Sequence, residues 1–192
     1  MLDFLISLDK SIFLALNQLH SPFFDQLMWW ISDKYIWIPV YAFLLYLVFR
    51  YKGKQGFILL FFIALVVTLT DQTSVKLFKD VFERLRPCHD PSLEGMVHIV
   101  NNKCGGQFGF VSSHAANTFG IAVFLTKLLN PHIRWIGWPL IIWAAVVSYS
   151  RIYLGVHFPG DIIGGALLGI FWGLMTYYLY RFTKHRFFYN FA

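Results

Sequence analysis

Long stretches with few charged residues recur along this chain, and they constrain its fold more than any other feature. Five of them approach or reach the roughly 17–25 apolar residues that a membrane-crossing helix needs. They cover residues 35–49, 56–78, 114–129, 133–149 and 158–180. Only 14% of the residues are charged, whereas a soluble domain carries about 25%. The sequence therefore predicts an all-α, polytopic membrane helix bundle of five or six transmembrane helices.

The segment before the first stretch, residues 1–34, has a different pattern. Residues 2–20 are amphipathic, and Asp9 and Lys10 interrupt their apolar side chains. A helix of this kind lies along the membrane surface with its apolar face toward the lipid. We therefore expect an N-terminal interfacial segment here, and a hidden crossing within it would make six crossings instead of five.

The basic residues are gathered in short clusters between the apolar stretches. With five crossings, the clusters at 50–54, 127–134 and 181–186 fall on one side of the membrane. The opposite side carries almost as many Lys and Arg residues, but several of them belong to the polar clusters described next, so the positive-inside rule favours the cytoplasm for the first side. Because anionic lipid headgroups attract such clusters, the net charge of +6 indicates the lipid bilayer as a partner and no nucleic acid. The pattern specifies no oligomeric state.

On the opposite side, a first polar cluster contains Lys79, Arg86 and Pro87. The two cations are seven residues apart, which predicts that they share one face over two helical turns. Pro87 is expected to end that helix, because the residue before a proline avoids the helical conformation. The cluster is explained either by basic side chains that reach the membrane surface or by an anion held between the cations.

A second cluster, Ser112-Ser113-His114, stands at the start of the third apolar stretch. Free backbone N–H groups at a helix N-terminus bind anions, two hydroxyls add donors, and His114 adds a titratable group. The alternative is a serine N-cap next to an unrelated histidine.

A third cluster contains Arg151, His157 and Asp161. The last two are four residues apart, so they can face each other across one helical turn. A carboxylate on one ring nitrogen fixes the tautomer and makes the other nitrogen a better nucleophile. The planar guanidinium of Arg151 fits phosphate oxygens. A structural His–Asp pair is the alternative, although ionisable residues at membrane depth usually have a function.

Together the three clusters supply what phosphoryl transfer needs: cations, an attacking group and a proton donor for the leaving oxygen. They also resemble the three-part signature of the type-2 phosphatidic acid phosphatase family. Lys79–Pro87 matches its Lys-x6-Arg-Pro motif, and Ser150–Asp161 matches its Ser-Arg-x5-His-x3-Asp motif. Its Pro-Ser-Gly-His motif is matched at two of four positions, with Val111 and Ser113 as departures. The resemblance covers roughly 56–180, the expected catalytic core of a single domain over 1–192.

The resemblance implies a role for each residue. His157 would attack phosphorus and form a phosphohistidine, Asp161 would orient it, and His114 would protonate the leaving oxygen. The phosphate would be held by Lys79, Arg86, Arg151, Ser112 and Ser113. Since no cage of carboxylates is evident, we expect a metal-independent phosphatase without a cofactor.

The family resemblance also implies a substrate class and a location. We expect hydrolysis of a lipid phosphate or diphosphate at the bacterial inner membrane, with the site facing the periplasm or outside. Undecaprenyl diphosphate is favoured and lipid A phosphate is next, with phosphatidylglycerol phosphate and phosphatidic acid as further candidates. The alternatives are a phosphatase for a small soluble phosphate ester and a non-catalytic lipid-phosphate carrier.

Both cysteines of the chain, Cys88 and Cys104, fall in the predicted outer loop. In an oxidising compartment they favour a disulfide. A zinc site with His89 and His98 is the alternative, but the spacing matches no common zinc pattern.

Overall fold

The computed structural model of the protein describes residues 2–187. This part of the chain consists of helices and connecting loops and contains no β-strand. The helices are α1 (Leu2–Asn17), α2 (Pro22–Ser32), α3 (Ile38–Lys52), α4 (Gln55–Phe82), α5 (Ser113–Leu129), α6 (Gly137–Tyr153) and α7 (Pro159–Phe187). Short 3-10 turns lie between them, and α4 includes a π-helical turn at Ser74–Lys79. The prediction of an all-α helix bundle is confirmed.

Within the described residues, two helices are long and apolar enough to cross a membrane, namely Gln55–Phe82 and Pro159–Arg186. A third crossing results if α2 and the helical segment Lys34–Lys52, which meet at a bend of 67°, form one broken span. Helices α5 and α6 have 17 residues each, at the lower limit of about 17–25 for a spanning helix. The count of five or six therefore stays a prediction.

Helices α5 and α7 pack closely against each other, and glycines make this contact possible. A Cβ atom at Gly165 or Gly169 would overlap the carbonyl oxygen of Ser112 or Ala116, and one at Gly173 would lie 2.7 Å from the Gly120 oxygen. Small residues let membrane helices approach backbone to backbone. The contact places the N-terminal ends of α5 and α7 side by side.

The bundle has an apolar interior and an apolar outer surface. Leu59, Val66 and Phe124 are buried between helices, whereas Phe57 and Trp138 are 70% and 75% exposed. Large apolar side chains on the outside of a helix bundle fit a lipid environment rather than water. The fold therefore agrees with the membrane character that the composition indicated.

Helix α1 is also two-sided. Its outward face carries exposed apolar side chains such as Phe4 and Leu5, and its inward face buries Phe13. The Phe13 ring packs edge-to-face on Phe158 with the ring centroids 5.3 Å apart. The interfacial position of α1 in a membrane stays a prediction.

One detail of the sequence analysis is wrong: Lys79 and Arg86 do not share a helix. Helix α4 ends at Phe82, and Glu83 adopts a left-handed conformation with φ 46°. The chain then runs extended, because Arg86 N–H donates to the Gln107 carbonyl at 3.1 Å. A loop, not a second helical turn, brings Arg86 to the site.

That loop is closed by a disulfide between Cys88 and Cys104, whose Cα atoms are 5.9 Å apart. An isolated antiparallel bridge joins Leu85 to Phe108 beside it. The loop therefore has two cross-links that hold the segment carrying Arg86 in place.

Candidate active site

His157 and Asp161 meet at the junction of α6 and α7. Both are buried, with 1% and 0% of their surface exposed, and His157 Nδ1 lies 3.4 Å from Asp161 Oδ2. The same oxygen accepts a hydrogen bond from the Phe158 N–H at 3.0 Å. Asp161 is the third residue of α7 and reaches back to the residue before the helix, as in a capping box. The start of α7 therefore orients the carboxylate toward the imidazole.

The other ring nitrogen of His157 faces a cation. Its Nε2 lies 3.5 Å from Arg86 Nη1. Burial, followed by the charges of Arg86, Arg151 and Lys79, lowers the pKa of His157 well below its usual range. The imidazole is therefore neutral at neutral pH, and with Asp161 facing Nδ1 the lone pair is on Nε2. This nitrogen can act as a nucleophile.

The three predicted phosphate-binding cations come from different elements, and the charges of all three act on His157. Lys79, at the end of the π-helical turn, donates to Ser113 Oγ at 2.7 Å. Arg86 is buried, and its Nε donates to the Phe108 carbonyl at 3.2 Å. Arg151 donates through Nη1 to the hydroxyl of Ser32, and its buried Nε has no partner among the described residues. Donors of this set remain available for an anion.

The second motif lies at the N-terminus of α5 beside these cations. Ser112 is buried, its hydroxyl caps α5 through the Ala115 N–H, and its own N–H donates to the Asp161 carbonyl at 3.0 Å. The N-cap alternative therefore describes the Ser112 hydroxyl. His114 is exposed, and its side chain makes no hydrogen bond within residues 2–187. The structure brings both serines and His114 to one end of the bundle with His157.

Sequence reasoning missed two charged residues of this site, Arg84 and Asp9. Arg84 Nη1 donates to Asp161 Oδ1 at 2.8 Å, and its Nη2 donates to Asp9 Oδ2 at 2.7 Å. The available signals were a second arginine two positions before Arg86 and an acidic residue inside an amphipathic helix. Neither signal indicates by itself which partner the residue has.

One group of described residues could hold a metal ion by distance, namely Cys88, His89 and Cys104, whose ligand atoms lie within 4.8 Å of one another. Zinc binds cysteine as a thiolate, but here the two sulfurs are bonded to each other. Of the two alternatives for this pair, the structure has the disulfide.

Curated proteins are similar to this chain over most of its length. A lipid A 4'-phosphatase of Bacteroides thetaiotaomicron is 39% identical over 93% of this chain and 80% of its own length. A lipid A 4'-phosphatase of Porphyromonas gingivalis is 33% identical over 96% and 78%. An undecaprenyl-diphosphatase of Sulfolobus acidocaldarius is 31% identical over 85% and 74%.

A solved structure has the same fold. It is the transmembrane PAP2-type phosphatidylglycerolphosphate phosphatase of Bacillus subtilis, with a TM-score of 0.71 and 25% identity over 95% of this chain and 89% of that one. The sequence model of the PAP2 superfamily matches residues 55–184, which is more than half of the chain. The predicted resemblance is thus confirmed, and this chain, a phosphatase, belongs to the PAP2 superfamily.

Proposed function

We propose that the protein hydrolyses the phosphate group of a membrane lipid through a phosphohistidine intermediate. The observation that carries this proposal is the buried His157–Asp161 pair, whose free ring nitrogen lies 3.5 Å from the Arg86 guanidinium. A neutral nucleophile next to fixed cations is the arrangement that transfer of an anionic phosphoryl group requires.

In the first step His157 Nε2 attacks phosphorus. The N–P bond forms, the bond from phosphorus to the lipid oxygen breaks, and that oxygen takes a proton from His114. Asp161 stabilises the positive charge that develops on the imidazole. In the second step a water molecule attacks phosphorus, the N–P bond breaks and phosphate leaves. His114 receives the proton of that water and is ready for the next cycle.

The phosphate oxygens would be held by Lys79, Arg86 and Arg151. In support, the charges of all three reach His157, and Arg151 Nε is a buried donor without a partner among the described residues. Ser113 would contribute its hydroxyl and backbone N–H at the start of α5. Ser112, in the same turn, would help to hold the phosphate. Because these positive charges belong to side chains, the reaction would need no metal.

For the substrate we propose a lipid A phosphate first and undecaprenyl diphosphate second, the reverse of the order favoured from sequence. The two relatives with 39% and 33% identity are named lipid A 4'-phosphatases, and the relative named undecaprenyl-diphosphatase has 31%. Both lipids present a phosphate on a long apolar body, which agrees with a site at the end of an apolar bundle.

For the topology we propose five crossings by α3 to α7 within one domain over 1–192, with α1 and α2 at the interface and 56–180 as catalytic core. Lys79, Arg86, Arg151 and the disulfide then lie at one end, and the basic clusters at 50–54, 127–134 and 181–186 lie at the other. The positive-inside rule supports a cytoplasmic position for those clusters. The site would face the periplasm or outside of a bacterial inner membrane.

The test is phosphate release by the purified protein in detergent with a chelator present. The panel contains lipid A, undecaprenyl diphosphate, phosphatidylglycerol phosphate, phosphatidic acid and glucose 6-phosphate. We expect release from lipid A to be fastest, and we expect glucose 6-phosphate to be the poorest substrate.

Three results would contradict parts of this proposal. Loss of activity in chelator would contradict the metal-independent mechanism. Fastest release from glucose 6-phosphate would favour a phosphatase for soluble esters. Tight lipid binding without release from any lipid would favour a carrier.

A further inference from the structure

The carboxylate of Asp161 is held from two directions. Its Oδ2 faces His157 and accepts a hydrogen bond from the Phe158 N–H. Both of these partners lie within four residues of Asp161, in the same segment of the chain. Its Oδ1 accepts from Arg84 Nη1 at 2.8 Å, a residue 77 positions earlier in the chain. Arg84 is therefore the side chain from outside this segment that fixes the second oxygen of the carboxylate.

Arg84 is in turn held in one orientation. Its guanidinium lies over the ring of Phe158, 4.3 Å from the ring centroid, and its backbone carbonyl accepts from the Gly109 N–H at 2.8 Å. Its second terminal nitrogen donates to Asp9 Oδ2 at 2.7 Å. The planar guanidinium thus bridges two carboxylates, one on α1 and one on α7.

Asp9 contacts both the guanidinium and the helix that contains Asp161. Its Oδ1 accepts from the Gly160 N–H at 2.8 Å. A Cβ at position 160 would lie 2.8 Å from Asp9 Oδ2 and 3.4 Å from Arg84 Nη1, so the missing side chain of Gly160 leaves room for this approach. Phe13, one turn further along α1, packs on Phe158. Helix α1 is thereby bound to the turn that precedes Asp161.

We propose that Arg84 and Asp9 are positioning residues that hold Asp161, and through it His157, in the geometry for attack on phosphorus. The inference rests on the proposed function. Neither residue is needed to bind phosphate: the guanidinium of Arg84 is directed at two carboxylates, and Asp9 is an anion. Their effect is therefore on the rate of the chemical step and not on the affinity for the substrate.

The chain offers a matched control for the simpler idea that Asp9 only anchors α1. Its neighbour Lys10 forms an ion pair with Asp90 at 2.6 Å. The exposed fractions of the two side chains are 28% and 14% in this pair, and 26% and 15% in the Arg84–Asp9 pair. Both pairs join α1 to the same loop, but within the described residues only the Arg84–Asp9 pair contacts Asp161.

The experiment compares Arg84→Gln, Arg84→Lys, Asp9→Asn, the Arg84→Gln/Asp9→Asn double variant and Lys10→Gln. For each protein we measure kcat, KM, inhibition by inorganic phosphate and the melting temperature in detergent. We expect kcat to fall about 100-fold in Arg84→Gln, as for a small displacement of a reacting group. The kcat of Asp9→Asn should fall about 10-fold, since Asp9 acts through Arg84.

The other readouts separate positioning from binding and from folding. KM and the inhibition constant of phosphate should stay within about twofold of the wild-type values. The kcat of the double variant should fall no further than that of Arg84→Gln alone, because the two substitutions disrupt the same hydrogen-bond network. Arg84→Lys should recover part of kcat, and Lys10→Gln should keep the wild-type kcat.

Each contrary result overturns a defined statement. An equal loss of kcat in Lys10→Gln, or a loss that follows the melting temperature across all variants, would show that the pair only anchors α1. A weaker affinity for phosphate with unchanged kcat would show that Arg84 binds substrate. Full activity of Arg84→Gln would overturn the positioning role alone, whereas a wild-type protein inactive on every lipid would overturn the proposed function.

Discussion

His157 and His114 lie at the same end of the helix bundle but make different contacts. His157 is 1% exposed and lies between Asp161 and Arg86. His114 is exposed, and its side chain has no hydrogen-bond partner within residues 2–187. A nucleophile requires one fixed direction of attack, whereas a proton donor must reach the leaving groups of bulky lipids. The two environments therefore suit the two roles proposed for these residues.

The largest expected effect comes from the buried histidine. His157→Ala should lower phosphate release from every substrate by at least about 10⁴-fold, because no N–P bond can form. Quantification of released phosphate, together with a melting curve of the purified variant, measures this. Appreciable activity in a folded His157→Ala protein would mean that water attacks phosphorus directly.

The exposed histidine should have an effect that depends on the leaving group. His114→Ala should slow release from a lipid phosphate by about 10²–10⁴-fold, the usual contribution of a general acid. With an aryl phosphate such as p-nitrophenyl phosphate the loss should be much smaller, since that leaving oxygen needs no proton. Rates of His114→Ala and His157→Ala on both substrates test the comparison. The aryl phosphate should restore activity to His114→Ala but not to His157→Ala. Equal losses of His114→Ala on both substrates would argue against its role as proton donor.

The smallest effect on chemistry is expected from the disulfide. The double variant Cys88→Ser/Cys104→Ser opens a loop of about 15 residues, which should cost roughly 3 kcal/mol in free energy of unfolding. Loss of the disulfide loosens the segment that carries Arg86, which contacts the buried His157 and not His114. The ratio of phosphate release from the lipid to release from the aryl phosphate depends on His114, so this ratio should not change. Melting temperatures and the two rates measure this. A changed ratio, or two free thiols in the mass of non-reduced wild-type protein, would contradict it.

The parts of the site that could be predicted from sequence are those that lie within one local segment. The His157–Asp161 pair follows from a spacing of four residues, and His114 follows from its place at the start of an apolar stretch. The length and low charge of the apolar stretches likewise predicted the bundle. In these cases the partners are neighbours in the chain, so local geometry determines the contact.

The remaining parts depend on contacts between distant segments. The helix expected from Lys79 to Arg86 ends early because the Arg84–Arg86 segment instead makes backbone hydrogen bonds near residue 107, and a sequence pattern does not reveal this competing pairing. The partners of Arg84 and Asp9 are separated in the chain by 77 and 151 positions. Such pairs arise from packing of whole helices, which a single sequence does not specify.

The contact between Asp9 and the Gly160 N–H joins residues 151 positions apart, and this has a consequence for biosynthesis. Residue 9 leaves the ribosome long before Pro159, so the contact of Asp9 with the Gly160 N–H can form only after the start of α7 has been synthesised. A growing chain therefore contains the first two motifs but no assembled site. Under the proposed function, activity appears only after the start of α7 has been synthesised and has joined α1.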